Sequence, residues 1–329
     1  MADSRSPMVL STSPTFGKYS QEPIENLKAA GFEVKLSPGS GGALSDESRA
    51  LIPEARAIIV GVEKMGKSEI ECARNCRIIA KHGVGVDNVD VAAATEMGII
   101  VTNAAGANSD AVADMAIGLM LAAARGIVAA ERDIRSQKWK PYVGVELWGK
   151  TLGIVGTGQI GKKVCRRAMG GFDMKAVAYD VMKDLEWAER AGVRYESLDA
   201  LLAKADIITV HVPLVPETKN LIGRREFGLM KPGAILVNTS RGGIIDEHAL
   251  AGALSAGTIR AAALDVFEHE PPWDSPVFNA PNMVLTPHIA GYSVEALQKT
   301  GLICAENIIS VLSGDKPKCV VNPGVFSRI

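Results

Sequence analysis

Cysteine is scarce in this 329-residue chain, and what there is has no pattern. Cys72, Cys76, Cys165, Cys304 and Cys319 are odd in number and scattered, which argues against a disulfide framework and against zinc-type paired spacing. No metal is expected, and a reducing, cytoplasmic setting fits. An excess of either charge is also missing: 36 Lys plus Arg face 37 Asp plus Glu, for a net charge of −1. That balance gives no electrostatic reason to bind nucleic acid or an anionic membrane surface, and it favours a small-molecule ligand. The opening MADSRSPMVLSTSP has no basic stretch followed by an apolar core, and Asp114 and Arg125 interrupt the most apolar later segment. Neither export nor a membrane span is expected. Repeats and low-complexity tracts are lacking as well.

What is present is 47% hydrophobic sequence, ample for two cores in a chain too long for one. Short β-branched runs alternate with helix-like stretches from Met8 onward: MVLST, FEVKL, RAIIVG, CRIIA and GIIVTN. This alternation predicts an α/β unit with parallel strands and crossover helices. A long helix is predicted next, capped by Asn108 or Ser109 and running through DAVADMAIGLMLAAARGI. Six further runs, KTLGIVG, MKAVAYD, DIITVHV, GAILVNTS, IRAAALDV and NMVLTPH, predict a second sheet. The helical SVEALQKTGLICAENIISVLSG and the tail PKCVVNPGVFSRI are placed back on the first domain, which becomes discontinuous.

GTGQIG, Gly156 to Gly161, follows an apolar strand and opens a helix, and a second strand then ends in Asp180. In that context the string reads as a dinucleotide-binding loop. Gly156 permits the tight turn, Gly158 lets the backbone approach a pyrophosphate, and Gly161 allows helix to pack on strand. The amides of Gln159 and Ile160 face the phosphates at a helix N-terminus. Asp180 is placed to accept ribose hydroxyls and to repel a phosphate there, which favours NAD over NADP. A purely structural turn with a solvated Asp is the competing reading.

Ligands of open parallel sheets bind beyond the carboxyl ends of the strands, and chemistry-bearing residues collect at those ends here. His211 ends DIITVH, Arg241 follows GAILVNTS, Asp265 ends AAALD with Glu270 five residues on, and His288 follows NMVLTP. Arg241 offers a planar fork suited to a carboxylate, or else a plain salt bridge. Histidine is the side chain whose ordinary value lets it hold or release a proton near neutral pH, so His288 could pass a proton, with Glu270 orienting the ring; Glu268 and His269 compete with Glu270 for that part. His211 is either a cofactor contact or an ordinary strand end. His82 and His248 have no evident orienting acid and are set aside as non-catalytic. Glu63, Lys64 and Lys81 either face a substrate or lie in solvent, and the solvated reading is preferred.

GTGQIG with Asp180, HVPLVPETKN, NTSRGGIIDEHAL, ALDVFEHEPP and TPHIAG, in this order, resemble the NAD-dependent D-2-hydroxyacid dehydrogenase family, especially its phosphoglycerate dehydrogenase-like members. HGVGVDNVD and NAAGANSDAVAD extend the likeness over nearly the whole chain. The resemblance implies two doubly wound parallel-sheet domains joined by hinge helices, with a Rossmann NAD domain (residues 104–294) inserted into a flavodoxin-like substrate domain (residues 1–103 and 295–329), and a homodimer. It implies that Arg241 binds the substrate carboxylate, that His288 transfers the proton, and that Glu270 rather than Glu268 pairs with it. It places Val84 and Gly85 on the substrate carboxylate. NAD contacts are implied for Gly156, Gly158, Gln159, Ile160, Gly161, Asp180, His211, Pro213, Thr218, Thr239, Ser240, Asp265 and Gly291. The activity implied is hydride exchange between NAD(H) and a small D-2-hydroxy acid or 2-keto acid, with D-3-phosphoglycerate, glyoxylate or hydroxypyruvate as candidate substrates. The family's corepressor branch supplies the alternative, a non-catalytic NAD(H)-sensing binding protein. The C-terminal serine-sensing domain of longer members, and serine feedback with it, are not expected.

Overall fold

The computed structural model describes residues 6–328. Its two compact units divide between Asn108 and Ser109 and again between Gly291 and Tyr292. Both are α/β units built on all-parallel sheets.

The first unit holds β1 (Met8–Ser11), β2 (Glu33–Leu36), β3 (Ala57–Val60), β4 (Ile78–Lys81) and β5 (Ile100–Thr102) in the order β2-β1-β3-β4-β5, which is a flavodoxin-like arrangement. β1, β3, β4 and β5 are buried along their whole length without alternation because helices cover both faces of the sheet. Leu10, Ile58 and Ile79 pack on one face, and Val9, Ile59 and Ile78 on the other, against Cys304, Ala305 and Ile308 of the helix Val294–Leu312. Ser293 caps that helix through the amide of Ala296. The tail returns to this unit: Val321 N donates to Val101 O at 2.8 Å, and Val325 is buried.

The second unit holds β6 (Thr151–Val155), β7 (Lys175–Tyr179), β8 (Arg194–Tyr195), β9 (Ile207–Val210), β10 (Ile235–Asn238), β11 (Ala261–Leu264) and β12 (Met283–Leu285). Their order, β12-β11-β10-β9-β6-β7-β8, is the doubly wound Rossmann pattern extended by one strand, and it reverses between β6 and β9. Seven strands stand where six are predicted. The extra one, β8, has two residues with no apolar run to announce it.

The long helix differs from expectation too. It runs over Ser109–Arg125 and stops, because Gly126 takes a left-handed φ of 64°, and a separate helix, Ile127–Arg135, follows. The first is buried through Val112, Ala116, Leu119, Met120 and Ala123. Among the described residues no single helix is long and apolar enough to cross a membrane; only these two, bent by 65°, pass that test together.

Candidate functional site

The glycine loop lies at the topological switch point of the seven-stranded sheet. Gly156 follows β6 with φ 96°, and a Cβ there would sit 2.6 Å from the carbonyl oxygen of His211, the residue after β9. A Cβ on Gly161 would meet Gly156 O at 2.1 Å, so only glycine lets the helix Gln159–Phe172 start this close to the strand. Gly158, its N-cap, would meet nothing within 4 Å. The turn is therefore closed on the sheet side and open at the helix N-terminus, where Gln159 and Ile160 begin fourteen residues of aligned peptide dipoles. This cradle fits a dinucleotide pyrophosphate.

Asp180 follows β7 beside the loop. Its Oδ2 accepts from the Thr157 amide at 2.6 Å and the Thr157 hydroxyl at 3.0 Å, and its Oδ1 accepts from Met182 N at 2.9 Å. Burial works against its charge, but these donors outweigh it and hold the carboxyl below its ordinary range. Asp180 is therefore a fixed anion beside the glycine loop. The sequence does not single out Thr157 as its holder.

The second cluster lies at the carboxyl ends of β10, β11 and β12. After β10 the chain turns tightly: Asn238 accepts from the Ser240 amide and hydroxyl at 2.9 and 2.7 Å and donates to Arg241 O at 2.9 Å. Arg241 in turn donates to Ser240 O at 2.7 Å. A Cβ on Gly242 would lie 1.9 Å from the Phe267 carbonyl, so this glycine brings the arginine turn against the loop that carries Glu270.

That loop is anchored from below by Glu247, a residue sequence reasoning gives no role. Its buried carboxylate accepts from Glu268 N at 2.7 Å and from the Ser275 hydroxyl. Glu268 itself is exposed, as is His269, whereas Glu270 meets the imidazole. His288 Nδ1 lies 2.8 Å from Glu270 Oε2 and 3.1 Å from Oε1. Burial alone would raise the Glu270 pKa; the His288 bond and charge, the Phe267 amide and the Arg241 charge reverse it, and the carboxyl stays below its usual range. Glu270 is thus ionised at neutral pH and holds Nδ1, leaving Nε2 as the nitrogen that can meet a substrate.

Asp265 fixes the turn that carries the imidazole. It is fully buried; Oδ1 accepts from the Thr286 hydroxyl at 2.6 Å and Ile289 N at 2.9 Å, and Oδ2 from Ala290 N at 2.8 Å. Its backbone carbonyl takes His288 N at 2.8 Å. His288 adopts φ 54°, a left-handed conformation costly for a non-glycine residue, and these four bonds hold it there.

The remaining expected cofactor residues divide by environment. His211 gives Nε2 to a 2.8 Å bond with Thr209, and burial pushes its pKa down to about 3, so it is neutral and no acid at pH 7. Thr218 Oγ1 donates to Pro213 O at 2.6 Å and accepts from Val215 N, so its hydroxyl staples its own turn. Thr239 is buried just after β10, and Gly291 closes the unit.

In the first unit, Asn103 Nδ2 donates to Val84 O at 2.7 Å and shapes the Val84–Gly85 turn. The solvated reading fails for two residues there. Glu63 is 1% exposed, accepting from Thr12 Oγ1 at 3.1 Å and Gly61 N at 2.9 Å, and Lys81 is 7% exposed, donating to Gly61 O and to Asn88 Oδ1 at 2.7 Å. Both are buried because each finds polar partners at the strand ends, where charge can be satisfied without water. Lys64 is exposed, in keeping with its solvated reading. His82 is structural in kind: Nδ1 bonds Ser13 and Thr15 at 3.2 and 3.3 Å.

The description "D-isomer specific 2-hydroxyacid dehydrogenase, NAD binding domain" matches residues 117–290, which spans the glycine loop and the Arg241, Glu270 and His288 cluster. The chain belongs to this family. It carries the family's NAD-binding domain, and a nicotinamide dinucleotide is its cofactor. Among curated dehydrogenases of the family, it is 44% identical to a D-3-phosphoglycerate dehydrogenase of Archaeoglobus fulgidus over 92% of this chain and 58% of that one. It is 42% identical to a glyoxylate reductase of Thermococcus litoralis over 84% of this chain and 86% of that one. A crystal structure of the TT0316 protein from Thermus thermophilus superposes with a TM-score of 0.85 at 35% identity, covering 95% of this chain and 99% of that one. The chain spans a little under three fifths of the length of the phosphoglycerate dehydrogenases it matches first.

Proposed function

We propose that this protein is a D-2-hydroxyacid dehydrogenase that interconverts a small 2-keto acid and its D-2-hydroxy acid with NAD(H), the substrate being of the phosphoglycerate, glyoxylate or hydroxypyruvate class. The observation that carries the reading is the 2.8 Å pair between His288 and Glu270. It presents an imidazole backed by an ionised carboxylate on the same sheet end as Arg241.

A dinucleotide held by the glycine loop would supply the hydride chemistry at the substrate carbon. The protein has three tasks beside it. Arg241 grips the substrate carboxylate and steadies charge on the carbonyl oxygen. His288 gives a proton from Nε2 to that oxygen in reduction and takes it back in oxidation, while Glu270 stabilises the imidazolium through Nδ1. Asp180 favours NADH over NADPH. A panel of keto acids followed at the nicotinamide absorbance tests this. Turnover of at least one member, lost in His288→Ala, is expected; NADH binding with no turnover of any member would move the assignment to a dinucleotide-sensing protein.

We further propose that a second copy of this chain covers the segment 127–148. Ile127, Val128, Ile134, Trp139, Val143 and Trp148 are all exposed there, Trp139 by 92%. So many large apolar groups on one stretch mark an association surface, and a net charge of −1 does not oppose self-association. Sedimentation is expected to show a dimer that Trp139→Asp with Val143→Asp splits into monomers; an unaltered mass would count against it.

A further inference from the structure

Tyr195 stands on the two-residue strand β8, outside every motif singled out in the sequence, yet its hydroxyl reaches the glycine loop. Oη lies 2.8 Å from Thr157 Oγ1 and accepts from Asp184 N at 3.1 Å. The direction of every proton in this chain of groups follows from its ends. A carboxylate only accepts, so the single hydroxyl proton of Thr157 goes to Asp180 Oδ2. Towards Tyr195 the Thr157 oxygen can then only accept, so the phenol donates to it. The Asp184 amide fills the other side of the phenol oxygen. Asp184 also caps the helix Leu185–Ala191 through Trp187 N and pairs with Lys162 of the glycine-loop helix.

We propose that Tyr195 is a positioning residue for dinucleotide choice. By holding the Thr157 hydroxyl in one rotamer, it keeps two donors on Asp180 Oδ2, so that a ribose hydroxyl meets the carboxylate at Oδ1 and a ribose phosphate meets a fixed negative charge. Thr157 is 4% exposed and the phenol ring packs on Trp187 at 6.4 Å, so this linkage is built into the unit rather than laid on its surface. Without the phenol, Thr157 is free to rotate its hydroxyl away, and Asp180 keeps its charge and its two amide donors but loses the third donor that orients it. The inference rests on the reading that Asp180 sets the preference for NADH.

The test compares Tyr195→Phe, Thr157→Val, Thr157→Ser and Asp180→Ala in the full chain. NADH and NADPH dissociation constants are measured by quenching of protein fluorescence, with KM and kcat for both cofactors on whichever keto acid the panel selects. Tyr195→Phe is expected to weaken NADH binding about three- to tenfold, the worth of one neutral hydrogen bond, and to lower the NADH-to-NADPH ratio by a similar factor. kcat at saturating NADH should stay within about twofold. Thr157→Val should match it and Thr157→Ser should restore selectivity, while Tyr195→Phe with Thr157→Val should be no worse than Thr157→Val alone, since both break one chain. A wild-type ratio in Tyr195→Phe, or additive losses in the double variant, while Asp180→Ala still collapses selectivity, overturns the inference alone. An unchanged ratio in Asp180→Ala overturns the reading beneath it. If Tyr195→Phe does not fold, the Thr157 pair decides: equal ratios in Val and Ser overturn the inference.

Discussion

Replacing Glu270 by Gln isolates the charge of the His288 pair from its geometry. The amide keeps an oxygen able to accept from Nδ1 but cannot stabilise an imidazolium by charge. A hydrogen bond to a charged group is worth about 1.5–3 kcal/mol and a neutral one about 0.5–1.5, so the difference is roughly 1–1.5 kcal/mol. The two side chains are 48% and 39% exposed, and solvent screening brings the figure to about 1 kcal/mol. At about 1.4 kcal/mol per factor of ten, keto-acid reduction should fall about fivefold at neutral pH. Glu270→Ala, which also frees the ring to turn, should lose more. The sign in pH follows from the depressed Glu270 pKa: its carboxylate survives until the pH falls below the ordinary carboxylate range, so in the native enzyme the pair is intact throughout the neutral region. In Glu270→Gln the protonated ring loses its support, so the alkaline limb of the reduction profile should move to lower pH. Initial rates at saturating NADH across the neutral range measure both effects, with Glu268→Gln as the control expected to behave as wild type. A native rate and profile in Glu270→Gln, or an equal loss in Glu268→Gln, would refute the argument.

Asp265→Asn replaces an acceptor of three donors by a group that must turn a donor toward one of them; kcat should fall at least tenfold as the His288 turn loosens, with NADH affinity less affected, as stopped-flow binding and turnover will show. Gly242→Ala should push the Arg241 turn off the Phe267 carbonyl and raise KM for the keto acid more than it lowers thermal stability, read by kinetics beside calorimetry. Burial and the neighbouring Lys81 lower the His82 pKa to about 4, so the native state resists a proton that the unfolded chain binds near 6.5. Stability is therefore full above about pH 6.5 and is lost on acidification towards 4, by about 2 kcal/mol between pH 7 and 5. Urea midpoints should show that loss reduced in His82→Gln, and an identical acid loss in both proteins would exclude the assignment.

Much of the fold was legible because parallel strands covered on both faces must be continuously apolar, and such runs stand out between turn signals. β8 was not, since Arg194–Tyr195 carries no such run and exists only because β7 offers an edge to pair with. The predicted long helix passes Gly126 because helix propensity along AAARGI does not reveal that the chain bends by 65° there. Charge predicts exposure for Glu63 and Lys81, and only the fold supplies the carbonyl, amide and hydroxyl groups that let them be buried.

The sequence by itself determined the alternation that makes two parallel sheets, the glycines that the loop after β6 and the turn after β10 require, and the chemical types gathered at the strand ends. These are local matters, settled by periodicity, by missing Cβ atoms and by side-chain chemistry. Spacing leaves Glu268, His269 and Glu270 open and only the family resemblance points to Glu270; the tertiary structure brings Glu270 to His288 and puts Glu247, Asp265, Thr157 and Tyr195 behind the site. Those partners are brought together by strand order and loop closure, and hydrogen-bond reach across 18 or 38 residues of chain leaves no trace in spacing.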